Sequence, residues 1–199
     1  MALGTATAPY EPRFDTGRLS LDLLATTHPA ERLGSLADLR AWITGSGLVP
    51  SGTPLTHADA AWPAAFRELR AHLDALIRSR LTPGPRTAAA SLIRVNALAR
   101  AAAPPAPRAV RAADGDLVRE LAGPPECAEL LAALARDAVE LLTDPVACAG
   151  LRQCAGDNCP VVYLDTSRGR RRRWCSSEVC GNRERVARHR RRVAALARA

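Results

Sequence analysis

The sequence predicts a mainly α protein with a little β structure, an α+β chain in which a helical N-terminal domain at residues 1–150 precedes a small module at residues 151–199. Three observations support this prediction. Apolar residues recur at helical spacing in several segments of the first part, proline- and glycine-rich joints separate these segments, and four cysteines cluster near the C-terminus. A chain of 199 residues has room for one ordinary core and one small module.

The first two helices are predicted from turn and cap signals. A turn at residues 17–18 leads into an apolar helix that ends near Thr26. Ser35, followed three residues later by Asp38, is the pattern of a capping box, and Leu36, Leu39 and Ile43 then recur at helical spacing. Glycines at 45 and 47 end this second helix.

Further elements follow up to residue 150. Thr56 is predicted to cap a longer helix that reaches the Pro-Gly-Pro joint at 83–85, and another helix covers 86–102. Strand-prone residues on both sides of Asp114-Gly115 predict a β-hairpin, and the leucine- and alanine-rich segment 127–142 predicts a helix. The first 150 residues are therefore expected to form a helical bundle with one hairpin.

A polar group near the end of the first helix allows two interpretations. Asp22, Thr26 and Thr27 lie beside His28 in the sequence and could form a polar binding site. Short polar side chains also cap helices and stabilise turns through local hydrogen bonds. We favour this second interpretation, in which the group ends or turns the first helix.

The charges are distributed unevenly along the chain. All 28 basic Lys and Arg residues are arginine, and residues 151–199 hold 13 of them against four acidic residues, a net charge of +9. The first 150 residues are almost neutral. A small module with this excess favours a polyanionic partner such as a nucleic acid, and the alternative is a solvated surface that only aids solubility.

The four clustered cysteines predict a metal site. The beginning of the chain lacks the basic and apolar regions of a signal peptide, and no apolar stretch approaches the roughly 18 residues of a membrane helix, so we expect a cytoplasmic protein. Clustered cysteines in a reducing compartment bind metal more often than they form disulfides. Four thiols in two close pairs suit one tetrahedral, structural Zn²⁺. The expected ligands are Cys154, Cys159, Cys175 and Cys180. Cys127 and Cys148 stand alone and are expected to be small core residues.

The module is expected to be a treble-clef-like zinc finger. Residues 161–164 and 171–174 are predicted strands, joined by a turn at 167–169 into an arginine-rich hairpin. A helix is predicted over 182–197, with Val186 and Val193 on the same face as Val179. The metal would replace the hydrophobic core that so few apolar residues cannot form.

The pattern of these residues resembles a known zinc finger. The two cysteine pairs, Asp165-x-Ser167, Arg172-Arg173-Trp174 and the tetrapeptide 180–183 resemble the CGNR zinc finger. The preceding chain is similar to the ABATE domain through Gly17-Arg18-Leu19, Leu21-Asp22-Leu23 and Leu39-x-x-Trp42. It differs at Ala25, where that domain tends to have Asn before the Thr. The resemblance implies a bacterial, stress-induced transcription regulator that binds DNA.

Basic residues of the predicted hairpin and helix are the expected nucleic-acid contacts. Guanidinium groups bind phosphates bidentately, and Arg or Asn on a helix in the major groove can read G or A. The expected contacts are Arg170, Arg171, Arg172, Arg173, Asn182, Arg183, Arg185, Arg188, Arg190, Arg191 and Arg192. Asn182 and Arg183 are the expected base contacts. Their structural alternatives are a hydrogen bond from Asn182 to the backbone of the zinc-binding turns or to a sulfur, and packing of Arg183 over Trp174. For Asn182 we favour the structural role, because groups that surround metal-bound thiolates orient the site.

Other functions remain open at this level. The same charge could bind RNA, with Tyr163 and Trp174 stacking on bases, or the module could mediate protein contacts. A treble-clef nuclease would need a His on the hairpin, which this sequence lacks, and His189 lies far into the predicted helix. We therefore expect a protein that is not an enzyme. Specific binding could require a homodimer, and the sequence names no small-molecule ligand for the N-terminal domain.

Overall fold

The structure is a computed structural model that describes residues 14–82 and 88–196. The mainly α fold with a little β structure is confirmed within these residues. The elements in chain order are α1 (Leu19–Ala25), α2 (Leu36–Gly45), α3 (Trp62–Leu81), α4 (Ala89–Ala101), β1 (Pro107–Arg111), β2 (Leu117–Leu121), α5 (Cys127–Thr143), α6 (Pro145–Cys148), β3 (Leu151–Gln153), β4 (Val162–Leu164) and α7 (Cys180–Leu196).

The main hydrophobic core is built around α3. This helix buries one apolar face, on which Phe66, Leu69 and Leu73 have no exposed surface. The helices α1, α2, α4 and α5 all pack against it. Trp42 of α2 lies edge-on to Phe66, with ring centroids 6.2 Å apart. Full burial of each large apolar side chain contributes roughly 1.5–3 kcal/mol, so this core stabilises the helical part of the chain.

Several local predictions are confirmed. The Ser35 hydroxyl accepts the Asp38 N–H at 3.1 Å, and the Asp38 carboxylate accepts the Ser35 N–H at 3.0 Å, which completes the capping box. The strands β1 and β2 pair antiparallel on both sides of the turn that contains Asp114 and Gly115. Gly115 has a φ of +92°, a conformation that a side chain disfavours.

Two predicted helix starts need correction. Thr56 is not a cap, because α3 begins at Trp62 with Ala61 as its N-cap and a proline in its first turn. Proline favours the first helical turn because its φ is already helical and its missing N–H is not needed there. The helix predicted from residue 86 is described from Ala89, and residues 86–87 lie outside the described part of the chain.

The polar group at the end of α1 mostly shapes the chain locally, as expected. The Thr26 hydroxyl donates to the Leu23 carbonyl at 2.6 Å, and the Thr27 hydroxyl donates to the Leu24 carbonyl at 3.0 Å. Asp22 acts at the other side of the helix. Its carboxylate accepts the Thr16 N–H at 3.2 Å and the Thr16 hydroxyl at 2.7 Å, which holds the segment that precedes α1.

The β3–β4 hairpin attaches the C-terminal part to the helices. Its residues Leu151 and Val162 belong to the same hydrophobic cluster as the helical core. The Leu164 N–H of β4 donates to the Thr16 carbonyl at 2.7 Å. Gly17 is required at this junction, because its φ is +94° and an added Cβ would lie 3.2 Å from the Leu164 Cβ.

The two isolated cysteines lie at the edge of the core rather than inside it. Cys127 is half-buried at the first residue of α5 and packs against the main core. Cys148 is also half-buried, at the end of α6, a short helix that the sequence did not reveal. The thiol of Cys148 donates to the Leu141 carbonyl at 3.3 Å. Neither thiol belongs to the group of four cysteines.

Candidate metal centre and nucleic-acid interface

The first cysteine pair lies in the turn between β3 and β4. Cys154 follows β3 directly, and its N–H donates to the Val161 carbonyl at 2.9 Å, which closes the turn. Asn158 has a φ of +57°, a left-handed conformation that Asn tolerates better than most residues. A Cβ at Gly156 would lie 3.4 Å from the Cys180 sulfur, so this glycine lets the turn approach the other cysteine pair closely.

The second pair lies at the start of α7. Cys175 belongs to the loop before the helix, and Cys180 is the first residue of α7. The Ser176 hydroxyl accepts the N–H groups of Glu178 and Val179, both at 3.1 Å. These bonds form a turn that brings Cys180 back towards Cys175. The helix predicted from residue 182 thus begins two residues earlier, and the last cysteine lies in its first turn.

The four predicted thiols converge on one point. All four Sγ atoms lie within 4.8 Å of one another, and the residues are buried or nearly so. The Cys159 and Cys175 sulfurs are 3.8 Å apart, and those of Cys175 and Cys180 are 3.6 Å apart. Four thiolates at about 2.3 Å from a tetrahedral Zn²⁺ are about 3.8 Å from each other. The spacing therefore fits one zinc ion in a closed, structural site.

Backbone N–H groups and burial act on these thiols in opposite directions. Burial raises the pKa of Cys159 to about 12, and it also raises the pKa of Cys175. Burial also acts to raise the pKa of Cys154, but the backbone N–H groups of Cys175 and Gly156, together with the neighbouring thiols of Cys175 and Cys159, lower it below its usual value. The two N–H groups lie 3.3 and 3.4 Å from the Cys154 sulfur, so they favour a thiolate there. A bound Zn²⁺ supplies the positive charge that keeps the other sulfurs ionised.

The arginine run forms an ordered loop and not the predicted second strand. Asp165 organises this loop by accepting the Ser167 N–H, the Ser167 hydroxyl and, through its other oxygen, the Arg172 N–H. The pKa of Asp165 lies below its usual value, mainly because Ser167 donates to it. Arg170 has a φ of +46°, which a regular strand does not permit. Hydrogen bonds from backbone N–H groups to this one carboxylate therefore replace the expected pairing between strands. The hairpin of this module is β3–β4 instead.

Arg172 is half-buried, and its guanidinium binds groups of the protein rather than solvent. Its guanidinium donates to the carbonyls of Trp174 and Asp15, at 2.9 and 3.0 Å, and to that of Cys175. It also lies over the Tyr163 ring, 4.5 Å from the centroid. These contacts tie the cysteine loop to the segment before α1. They leave Arg172 poorly available for phosphate contact. Its role in holding the module together is visible only from partners that are distant in the sequence.

The other predicted contacts lie mainly on the surface. Arg173 is exposed and covers the Trp174 ring at 5.3 Å, Arg185 donates to the Ser177 carbonyl, and Arg191 pairs with Glu184 at 2.7 Å. A further group is exposed, and its side chains make no hydrogen bond or salt bridge to any residue that the structure describes. These residues are Arg170, Arg171, Arg183, Arg188, Arg190 and Arg192.

The structural role favoured for Asn182 and the packing considered for Arg183 are not found among the described residues. The Asn182 side chain is exposed and makes no hydrogen bond within the described ranges. Arg173, and not Arg183, packs over Trp174. The expected apolar face of α7 is also largely uncovered, because Val186 and Val193 are 43% and 52% exposed. The first turns of α7 therefore present polar and charged groups to solvent.

Comparison with known proteins agrees with this architecture. The ABATE family, described as "Putative stress-induced transcription regulator", matches residues 17–145. The CGNR zinc finger matches residues 151–193, a range that includes all four thiols. A search of curated proteins found no match. None of the helices in the described ranges is both long and apolar enough to cross a bilayer. The chain belongs to the ABATE family and carries a C-terminal CGNR zinc finger that binds one structural Zn²⁺.

Proposed function

We propose that this protein is a bacterial, cytoplasmic regulator that binds duplex DNA through its zinc finger and has no catalytic activity of its own. The observation that carries this proposal is the arrangement of exposed guanidinium groups around one closed metal centre. Arg170 and Arg171 lie on the loop before Cys175, and Arg183, Arg188 and Arg190 lie on the helix after Cys180. The description of the ABATE family agrees with a regulatory role.

The position of these groups favours DNA over a purely solubilising surface. Asp165 fixes the backbone of the loop, and Cys180 anchors the first turn of α7. Two basic elements are thus held in a defined geometry. A solubilising surface needs no such order. Phosphate binding is stronger when the side chains are already in position before the DNA binds, because less conformational entropy is then lost.

The dimensions of α7 suit the major groove. The helix has 17 residues and is therefore about 25 Å long, and a B-DNA major groove about 12 Å wide accepts an α-helix. Asn182 and Arg183 lie in its first turn with exposed side chains. We infer that they read base edges, while the other exposed arginines contact phosphates. One short helix covers few base pairs, so a homodimer on two half-sites would increase specificity.

The competing functions have less support. Tyr163 has no exposed surface, because it is buried beside the cysteines, so it is a poor stacking platform for RNA bases. His189 is exposed on α7, more than two turns after Cys180, and the arginine loop contains no histidine. A nuclease of the treble-clef type would need catalytic or metal-binding side chains on both the hairpin and the helix.

Selection of bound duplexes from random DNA sequences, with the zinc-loaded full chain, tests this proposal. We expect enrichment of a short motif, and retention of binding when excess RNA competes. A control variant, Arg100→Ala with Arg119→Ala, removes two exposed arginines from the helical part and should leave the selection unchanged. Preferential displacement by RNA would favour an RNA partner, and no nucleic-acid binding would favour a protein partner.

A further inference from the structure

A cavity lies between the helical part and the zinc finger. Its volume is about 430 Å³, within the range of natural small-molecule sites, and it is partly open to solvent. One wall comes from α1, α2 and their connecting loop, and the other comes from the cysteine turns and the beginning of α7. Small-molecule sites occur preferentially at boundaries of this kind between structural units.

The floor of the cavity holds one buried acid. Asp22 is 6% exposed, and the hydrogen bonds of its carboxylate come from the N–H and hydroxyl of Thr16. Burial raises the pKa of Asp22 to about 6, although the Thr16 bonds act against this change. The charged groups that act on it most strongly are the carboxylates of Asp15 and Asp137, which are also negative. A positive charge brought beside Asp22 would therefore be stabilised.

The rim of the cavity is close to electrically balanced. Arg32 and Arg183 lie there together with the carboxylates of Asp15 and Asp38. Burial and the nearby Arg183 both lower the pKa of His28, so His28 is neutral at pH 7. An anion would gain little from this rim and would be repelled by the acid on the floor. The charges therefore select a cation over an anion.

The walls favour an apolar body on the same ligand. Ala25, Val161 and Val179 line the cavity beside the indole of Trp42. The Trp42 N–H is buried and has no hydrogen-bond partner among the described residues, a condition that native interiors rarely retain. Because that N–H has almost no accessible surface, the cavity meets the apolar ring of Trp42 rather than its donor, which suits the apolar body of a ligand.

We propose that this cavity binds a small organic amine, with the ammonium group beside Asp22 and an apolar body against Trp42 and the valines. Alkyl and arylalkyl amines have this chemistry, and the volume of the cavity lies in the range of small-molecule sites. Asp22 thus has a role beyond holding the segment before α1. It supplies the charge that distinguishes an amine from a neutral compound of the same shape.

The same cavity connects the ligand to the zinc finger, and this part of the inference rests on the proposed function. Arg183, an expected base contact, lines the cavity. The carbonyls of Asp15 and Thr16, two further lining residues, accept hydrogen bonds from Arg172 and Leu164 of the finger. A ligand that orders these segments strengthens DNA binding, and by linkage DNA strengthens ligand binding by the same factor.

Calorimetric titration of the zinc-loaded full chain tests the binding site. The probes are benzylamine, 2-phenylethylamine and 4-phenylbutylamine, each with the alcohol and the carboxylate of the same carbon skeleton. We expect at least one amine to bind with a Kd below about 1 mM, at least tenfold tighter than its alcohol, which corresponds to about 1.4 kcal/mol. The zinc content should not change during the titration.

Two variants decide whether the binding occurs in this cavity. Asp22→Asn keeps the shape of the side chain and should abolish the preference for the amine over the alcohol. Asp116→Asn makes the same change on the exposed β1–β2 turn and should bind as the wild type does. Ala25→Leu adds bulk to the wall and should weaken all probes. The proposal is overturned if no amine saturates below 5 mM, or if Asp22→Asn retains the preference.

A DNA titration with and without saturating amine tests the connection separately. We expect the amine to tighten DNA binding at least threefold in the wild type and not at all in Asp22→Asn. Amine binding with unchanged or weaker DNA binding would refute the connection and leave the amine site intact. A chain that binds the amine but no DNA would instead refute the proposed function.

Discussion

The helical part and the zinc finger reach order by different means. The helices bury large apolar side chains in one continuous core around α3, as in any small globular protein. The second cluster contains the four thiols and Tyr163, with only a few partly buried apolar neighbours. A metal centre, the carboxylate of Asp165 and the guanidinium of Arg172 replace the missing apolar area there. A module stabilised in this way can keep nearly all of its arginines on the surface.

Of the changes considered, removal of the metal is expected to have the largest effect, and it should act on the zinc finger rather than on the helical part. Chelation, or Cys154→Ser with Cys180→Ser, should unfold the cysteine turns and α7 while α1–α5 stay folded, because binding of structural zinc contributes on the order of 10 kcal/mol. Limited proteolysis with mass spectrometry would show new cleavage after about residue 153. β3 and β4 should lose less protection, since Leu151 and Val162 lie in the helical core.

The matched control for metal removal is Cys127→Ser with Cys148→Ser. These thiols lie outside the cysteine cluster, so one equivalent of zinc should remain by elemental analysis. Uniform loss of protection over the whole chain after chelation would show that the two parts unfold as one unit. Zinc retained after loss of Cys154 and Cys180 would contradict the assigned ligands.

Replacement of the buried Asp22 by Asn should stabilise the helical part of the chain. The pKa of Asp22 is raised from 3.8 to about 6, so between these values the unfolded chain releases a proton that the folded chain keeps. Stability therefore falls as pH rises through this window, by up to about 3 kcal/mol. Asp22→Asn should be more stable than the wild type at pH 7, and this advantage should shrink towards pH 4.

Urea unfolding of both proteins from pH 4 to pH 7.5 measures this difference. Asp116→Asn, on the exposed turn, should show no such dependence on pH. A destabilised Asp22→Asn variant at pH 7 would mean that the carboxylate already has a favourable positive partner. That result would contradict the burial of Asp22 among like charges.

Two adjacent arginines should differ in their contribution to the finger. Arg172→Ala removes three bonds to carbonyls and should destabilise the zinc-loaded finger by about 2 kcal/mol. Arg173→Ala makes the same change in charge and removes only an exposed contact with Trp174, so it should cost less than about 1 kcal/mol. Urea unfolding followed by Trp fluorescence compares them. Equal losses would contradict the internal role of Arg172.

The sequence predicted the features that depend on neighbouring residues. The capping box at Ser35, the turn at Gly115 and the two cysteine pairs each follow from a few adjacent side chains, and all were found. The predicted strand at 171–174 was wrong, because the Asp165 carboxylate accepts the backbone N–H of Arg172. Strand propensity does not consider such a bond between residues that are not neighbours in the sequence. The start at Thr56 failed because Pro63 offered a better helix start.

Features formed by distant residues could not be predicted. Arg172 binds the carbonyl of Asp15, 157 residues away in the sequence. From the sequence alone, the run of four arginines that contains it therefore looks like a basic surface and nothing more. The cavity has the same origin, because it combines Asp22 and Trp42 with Arg183. Local patterns show which residues are charged or apolar, and only the packing of the two parts shows which of them face each other.

The salt dependence of duplex DNA binding tests the central claim most directly, that the ordered arginines around the zinc centre bind the DNA backbone. If about five phosphates are neutralised, the slope of log K against log salt should be near −4.5 for the zinc-loaded chain. Arg171→Ala with Arg190→Ala should reduce this slope by up to about two, while Arg100→Ala with Arg119→Ala should leave it unchanged. Binding that ignores salt, or no duplex binding near 50 mM salt with zinc present, would contradict the claim.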